Sequence, residues 1–218
     1  MSDSVFNLLA PEVRRLVYEQ GWKSLRPIQV AAIEAYNKTA NDLLLIAQTA
    51  GGKTEAWLLP ALSTLISRRL LSVQVLCISP LKALINDQYT RTEKLTKPLS
   101  IQVHRWHGDV DEHHKNALRQ NPSGILIITP ESIEAAIMKR PAEVAKHFKH
   151  LELVIIDEVH ALLTEERGMH VRSLLSRLFD LIGSRPRLIG LSATIGDPKA
   201  AQIFLNPENP DSVTILGL

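Results

Sequence analysis

Short runs of consecutive apolar residues, rich in Leu, Ile and Val, alternate along the chain with longer segments whose apolar positions recur every three to four residues. The runs cover residues 42–47, 73–79, 101–106, 125–129, 151–157, 187–192 and 213–216. A run that is apolar at nearly every position has no polar face, so it reads as a strand buried on both sides. The periodic segments over 54–71, 81–95, 131–139, 171–182 and 199–205 suit helices that lay one face on a sheet. Their alternation predicts an α/β fold, a mostly parallel sheet of about seven strands with helices on both faces. Residues 4–37 read as helical, broken at Gly21 and at Leu25-Arg26-Pro27, and are expected to pack beside the sheet. The expected organisation is one domain over 1–218, with a helical region over 1–40 and a sheet core over 41–218. The closing segment, 212–218, is apolar and has no polar tail, as expected of a chain that belongs to a longer protein.

Open parallel sheets bind ligands outside the carboxyl ends of their strands. Six of the expected strand ends carry polar, chemically capable residues: 48–54, 79–82, 107–109, 129–132, 157–160 and 192–194. Ala47-Gln48-Thr49-Ala50-Gly51-Gly52-Lys53-Thr54 follows the first strand and opens a helix, where backbone N–H groups and the helix N-terminus face an anion. In such a phosphate cradle Lys53 reaches the β and γ phosphates and the Thr54 hydroxyl ligates Mg²⁺. Gly-Lys-Thr alone also fits a tight turn with an exposed lysine, and Ala47 stands where a strict P-loop has its first glycine. Leu153-Val154-Ile155-Ile156 then delivers Asp157 and Glu158 to the same edge. Two adjacent acids beside a phosphate cradle call for a cation: Asp157 is suited to hold Mg²⁺ through its water shell, and Glu158 to take a proton from an attacking water.

Composition narrows the function classes. Twenty-five Lys and Arg against 23 Asp and Glu leave a net charge of +2, so a polyanion site must be local rather than global. The lone Cys77 excludes an internal disulfide and a multi-cysteine zinc site, and fits a reducing, cytoplasmic setting. The first residues lack a signal-peptide pattern and the apolar runs are too short for a membrane span, so no membrane role is expected. His104, His107, His113 and His114 fall close together, but across a strand, a loop and a polar helix and with no cysteine, which argues against zinc.

The order of motifs resembles the superfamily 2 helicases and translocases, in particular their first RecA-like P-loop motor domain. Gly21-Trp22-Lys23-Ser24-Leu25-Arg26-Pro27-Ile28-Gln29 is similar to the Q motif, and 47–54 to motif I. Ser79-Pro80-Leu81-Lys82-Ala83-Leu84 is similar to motif Ia, and Thr129-Pro130-Glu131-Ser132 to motif Ib. Asp157-Glu158-Val159-His160 resembles motif II, and Ser192-Ala193-Thr194 motif III. The likeness spans nearly the whole chain. Gly52-Lys53-Thr54-Glu55-Ala56, the Glu166-Arg167-Gly168 that follows motif II, and Leu191-Ser192-Ala193-Thr194-Ile195-Gly196-Asp197-Pro198 look closest to the large helicase-related (Lhr-type) branch.

The resemblance implies roles that the residues alone do not assign. Gln29 would read an adenine edge, with Arg26 or Phe6 stacked on the base, and Thr49, Ala50, Gly51 and Gly52 would line the phosphates. Pro80, Lys82, Gly108, Asp109, Thr129, Pro130 and Glu131 would grip the phosphates of one nucleic-acid strand, contacts that position without reading sequence. His160, Ser192 and Thr194 would couple nucleotide state to that grip. Ala50 replaces a usual glycine of motif I and tolerates positive φ poorly, a strain that Gly51 could partly absorb. The implied cofactors are ATP and Mg²⁺. The implied partner is single-stranded or partly duplex nucleic acid, DNA ahead of RNA, although phosphate contacts do not report the 2′-hydroxyl. Motifs IV to VI and their arginine finger lie in a second RecA-like domain, and none is present here, so this chain is expected to bind Mg-ATP and to hydrolyse it poorly. Two alternatives stay open: a P-loop ATPase that remodels protein, and a non-hydrolysing ATP-gated binding module.

Overall fold

The structure, a computed structural model, describes residues 3–48, 50–163, 165–194 and 196–217. Seven strands form one sheet: β1 (Leu43–Ile46), β2 (Val73–Ile78), β3 (Val103–Trp106), β4 (Gly124–Ile128), β5 (Leu153–Ile156), β6 (Arg187–Ser192) and β7 (Thr214–Leu216). Their order is β3-β4-β2-β5-β6-β1-β7 and every pairing is parallel. Each apolar run of the sequence supplies one strand. β2 lies between β4 and β5, with Ile78 in register with Ile128 and Ile156, so the chain leaves these three strands side by side.

Period-two alternation divides the strand residues between two cores. Leu43, Leu45, Cys77, Ile127, Ile155 and Leu191 face the layer built from α1 (Asp3–Phe6), α2 (Pro11–Glu19), α3 (Pro27–Lys38), α4 (Lys53–Ser67) and α5 (Lys82–Thr96). Leu44, Ile78, Leu126, Val154 and Leu188 face the opposite layer. That layer holds α6 (Glu112–Gln120), α7 (Pro130–Lys139), α8 (Pro141–His147), α9 (Val159–Leu162), α10 (Glu165–Ile182) and α11 (Pro198–Leu205).

Helix ends depart from the periodicity in instructive places. The expected helix over 54–71 stops at Ser67, and Leu71 is left on the surface. α10 begins six residues before 171, and the seven-residue α8 has no counterpart among the expected elements. Pro141 opens α8 at a helix N-terminus, where the missing N–H costs nothing, so a residue that ends α7 also starts its neighbour. The N-terminal helices break at Gly21, with φ +70°, and at Arg26-Pro27, as the sequence suggests, and again between Phe6 and Pro11.

Candidate nucleotide and nucleic-acid site

β1 feeds a loop that turns at once into α4, and the loop is shaped by close backbone approach. A Cβ on Gly51 would lie 2.7 Å from the Gln48 carbonyl oxygen, and one on Gly52, at φ +90°, would lie 2.7 Å from Gln29 Nε2. Ala50 itself takes the left-handed conformation, φ +61°. The expectation that Gly51 absorbs this strain is therefore corrected: Gly51 supplies space, and Ala50 carries the unfavourable dihedral. Thr49 lies outside the described residues. Lys53 Nζ donates to the carbonyls of Ala47 and Gln48, at 2.5 and 3.3 Å, which holds the ammonium in the concavity of the loop. Burial lowers the Lys53 pKa, and the carboxylates of Glu158 and Asp157 act in the opposite direction. The cradle cation and the two acids thus share one electrostatic environment. Thr54, in the first turn of α4, is buried.

The Q-motif residues close this loop from the side. The Arg26 backbone N–H donates to Gln29 Oε1 at 2.9 Å, and the Arg26 guanidinium donates to the Ala50 carbonyl. Gln29 is only 4% exposed. Of the two expected base stackers, Arg26 is exposed beside the cradle, whereas Phe6 is buried, with Tyr18 edge-on at 5.3 Å.

β5 delivers Asp157, whose N–H bonds the Ile78 carbonyl at 2.9 Å, continuing the sheet ladder. Its carboxyl is 5% exposed, and burial together with the Glu158 carboxylate pushes its pKa up to about 6. Ser79 Oγ and Gln88 Nε2 both donate to Asp157 Oδ2, at 3.4 and 2.5 Å. Glu158 turns the chain through a left-handed conformation, φ +52°, and α9 begins directly after it. His160 Nδ1 stands 3.2 Å from Glu158 Oε2 and 3.2 Å from Ser192 Oγ. Ser192 Oγ gives its proton to the Thr194 carbonyl at 2.7 Å, so it accepts from His160, which must carry its proton on Nδ1. The three coupling candidates are thus brought into one chain of contacts with Glu158.

Gln88, unlike these, escaped the sequence reading. It sits one helical turn after the fully buried Ile85 on α5, a spacing that places both on the same face. That spacing was the available signal.

The nucleic-acid candidates gather at the neighbouring strand ends. Lys82 opens α5, and its Nζ meets both Asp109 oxygens, at 3.0 and 2.9 Å, beside Gly108. Asp109 therefore acts on Lys82 rather than offering its carboxylate to a phosphate, which carries the same sign of charge. Thr129 caps α7, accepting the Ser132 N–H at 3.3 Å, with Pro130 buried behind it and Glu131 exposed. From these ends a cleft of about 770 Å³ extends among α6, α7 and α8; Pro80, Lys82, Gly108, Thr129 and Trp106 line its strand-end side, with Arg119 stacked 5.2 Å from the Trp106 ring. The four histidines do not converge. Among the described residues the one group of possible metal ligands is Asp111, His113 and His114, all exposed, and Asp111 already caps α6.

The DEAD/DEAH box helicase family model matches residues 26–203. The chain is 32% identical over 203 residues to the Lhr helicase/probable uracil glycosylase of Mycolicibacterium smegmatis, covering 86% of this chain and 13% of that protein. It is 30% identical over 233 residues to ATP-dependent helicase Lhr-Core protein 2 of Thermococcus barophilus, covering 99% of this chain and 26% of that protein. The solved structure of Mycobacterium smegmatis helicase Lhr bound to ssDNA and AMP-PNP superposes with a TM-score of 0.81 at 31% identity, over 97% of this chain and 28% of that one. The chain thus spans about an eighth to a quarter of the length of these two relatives. With the motif order, the all-parallel sheet and these likenesses together, the chain belongs to the DEAD/DEAH box helicase family, as a RecA-like superfamily 2 motor domain of Lhr type.

Proposed function

We propose that this chain binds Mg-ATP in the 47–54 cradle and hydrolyses it to drive movement on, or unwinding of, nucleic acid within a larger protein. One observation carries the reading: parallel β1 and β5 end at the same edge of the sheet, which sets the cradle lysine where the Glu158 and Asp157 carboxylates act on it. The residues fit a divalent cation. Thr54 and Asp157 offer hard oxygen donors, and a buried carboxyl raised to about 6 beside a second carboxylate is a group that a cation would relieve. Mg²⁺ bound there would neutralise charge on the β and γ phosphates.

In this reading the loop amides over 49–52 and Lys53 hold the phosphates, while Gln29 and Arg26 orient the base; Phe6, buried, is the weaker stacker. Glu158 takes the proton of the water whose oxygen bonds the γ phosphorus as the bond to the β-phosphate oxygen breaks. His160 stands beside Glu158 at 3.2 Å and ties this side of the site to Ser192 and Thr194. Lys82, Gly108, Thr129, Pro130 and Glu131 form the strand grip, and a phosphate would compete with Asp109 for Lys82.

The region 1–40 serves as the Q-motif cover of a core over 41–218, and the cleft is completed by a second RecA-like domain. An arginine finger from that domain would add about 10³ to 10⁵ in rate, so this chain alone is expected to hydrolyse slowly. The ssDNA in the solved Lhr complex supports DNA ahead of RNA as partner. No helix among the described residues is long and apolar enough to cross a membrane, and the free, buried Cys77 supports a cytoplasmic setting.

The test is steady-state ATP hydrolysis by the full-length protein with and without single-stranded DNA, single-stranded RNA and duplex DNA. A single strand is expected to raise the rate, and Glu158→Gln to lower it at least about a hundredfold. Glu158-dependent hydrolysis indifferent to every nucleic acid would favour a protein-remodelling ATPase instead.

A further inference from the structure

Asp157 is gripped by a residue outside the cradle and outside motif II. Gln88, in the second turn of α5, donates Nε2–H to Asp157 Oδ2 at 2.5 Å. A glutamine amide can present either end, and a strand residue makes the choice. Cys77, fully buried on β2, donates its S–H to Gln88 Oε1 at 3.3 Å. With its oxygen so engaged, the amide offers its nitrogen to the carboxylate; the opposite flip would set two acceptors against each other. Fixing Oδ2 fixes the carboxylate plane, and with it the direction of the second oxygen.

The helix that carries Gln88 is tied to both sides of the site. Lys82 at its start pairs with Asp109. Asn86 Oδ1 accepts from Arg105 at 2.8 Å and contacts His107 Nε2 at 3.3 Å, on the strand end that leads into Gly108-Asp109. Arg91 pairs with Glu55, in the first turn of the cradle helix, at 3.0 Å. A single 15-residue helix thus touches the loop after β3, the carboxylate after β5 and the helix after β1.

The geometry points to Gln88 as a positioning residue for Asp157, the member of α5 through which engagement of Lys82 by a phosphate is felt at the cation site. This inference rests on the nucleotide reading above, because it requires Mg²⁺ and phosphate at Asp157. Outer-shell partners of this kind govern metal affinity by about 10- to 100-fold.

The experiment is a fluorescence titration of a methylanthraniloyl-ADP probe at graded Mg²⁺ on the wild-type protein, Gln88→Leu, Gln88→Asn and Tyr89→Phe. Gln88→Leu is expected to raise the Mg²⁺ concentration at half-saturation about 10-fold, with Mg²⁺-free probe affinity unchanged. Gln88→Asn, one methylene short, should do the same while keeping an amide in place. Tyr89→Phe, which deletes only the neighbouring bond to Glu93, should leave the midpoint unmoved. A Gln88→Leu or Gln88→Asn midpoint within twofold of wild type, in a wild-type protein that does respond to Mg²⁺, overturns the role of Gln88 and leaves the motor reading standing. A wild-type protein whose probe binding ignores Mg²⁺ overturns both.

Discussion

Asp42 and Asp157 are both buried, 3% and 5% exposed, and they stand at opposite ends of the same parallel sheet. Asp42 precedes β1, where its carboxylate accepts from Arg185 at 2.6 Å, from the Leu188 N–H at 2.8 Å and from Asn206 at 3.3 Å. Asp157 follows β5 and has neutral donors, Ser79 and Gln88, with another carboxylate beside it. The first site is electrostatically complete and fastens 185–188 and Asn206 to the start of β1. The second sets two carboxylates side by side against the single ammonium of Lys53. The sheet therefore keeps its ion-paired carboxylate at the amino ends of the strands and a pair of mutually repelling carboxylates at the carboxyl ends, where a cation can complete them.

Substitution should separate the two. Asp42→Ala leaves Arg185 and a buried N–H without their acceptor. Urea unfolding should show a loss of about 3 kcal/mol, toward the low end for a buried pair because Arg185 is 44% exposed. Asp157→Asn removes a strained charge and should unfold at the same or a higher urea midpoint at pH 7.5, while Mg²⁺ no longer tightens nucleotide binding. A large stability loss in Asp157→Asn would erase the contrast.

The pH dependence sharpens it. A carboxyl raised from 3.8 to about 6 binds more protons folded than unfolded between those values, so its contribution to stability is present below pH 4 and lost as pH rises through 6. Without nucleotide, Asp157 should remove about 3 kcal/mol across that window, and the Asp157→Asn profile should be flatter there by that amount. Equal slopes in the two proteins would contradict the assignment.

The smallest effect concerns Ala50. Its left-handed φ costs an alanine about 1 kcal/mol more than a glycine, partly offset by the greater freedom of glycine in the unfolded chain. Ala50→Gly should raise stability by less than about 1 kcal/mol, and a clear loss would show that the methyl group packs usefully in the cradle.

These contrasts also show what was legible in the sequence. The strands were, because a run such as Leu153-Val154-Ile155-Ile156, apolar at every position, fits a strand covered on both faces. The sheet edge was, because parallel strands put Lys53, Asp157 and Ser192 at one end once strand and helix alternate. The short α8 was not, because seven residues opened by a proline carry too little periodicity. Nor was the grip of Gln88 on Asp157, a contact across 69 residues that exists only when α5 lies over β3 and β4 and reaches across to Cys77 and Asp157. Ala50 was legible in part: its place in motif I marked a position of positive φ, and the alanine itself adopts it. Its dihedral is imposed by the passage from β1 to α4 and by Arg26 on its carbonyl, against the preference of the residue itself.

The most direct measurement is calorimetric titration of a non-hydrolysable ATP analogue, with and without Mg²⁺, into the wild-type protein and Asp157→Asn. Mg²⁺ should tighten binding at least tenfold in the wild type and leave Asp157→Asn unchanged. Equal Mg²⁺ dependence in both proteins, or no binding to the wild type, would contradict the claim that Asp157 and its cradle await a metal-bound nucleotide.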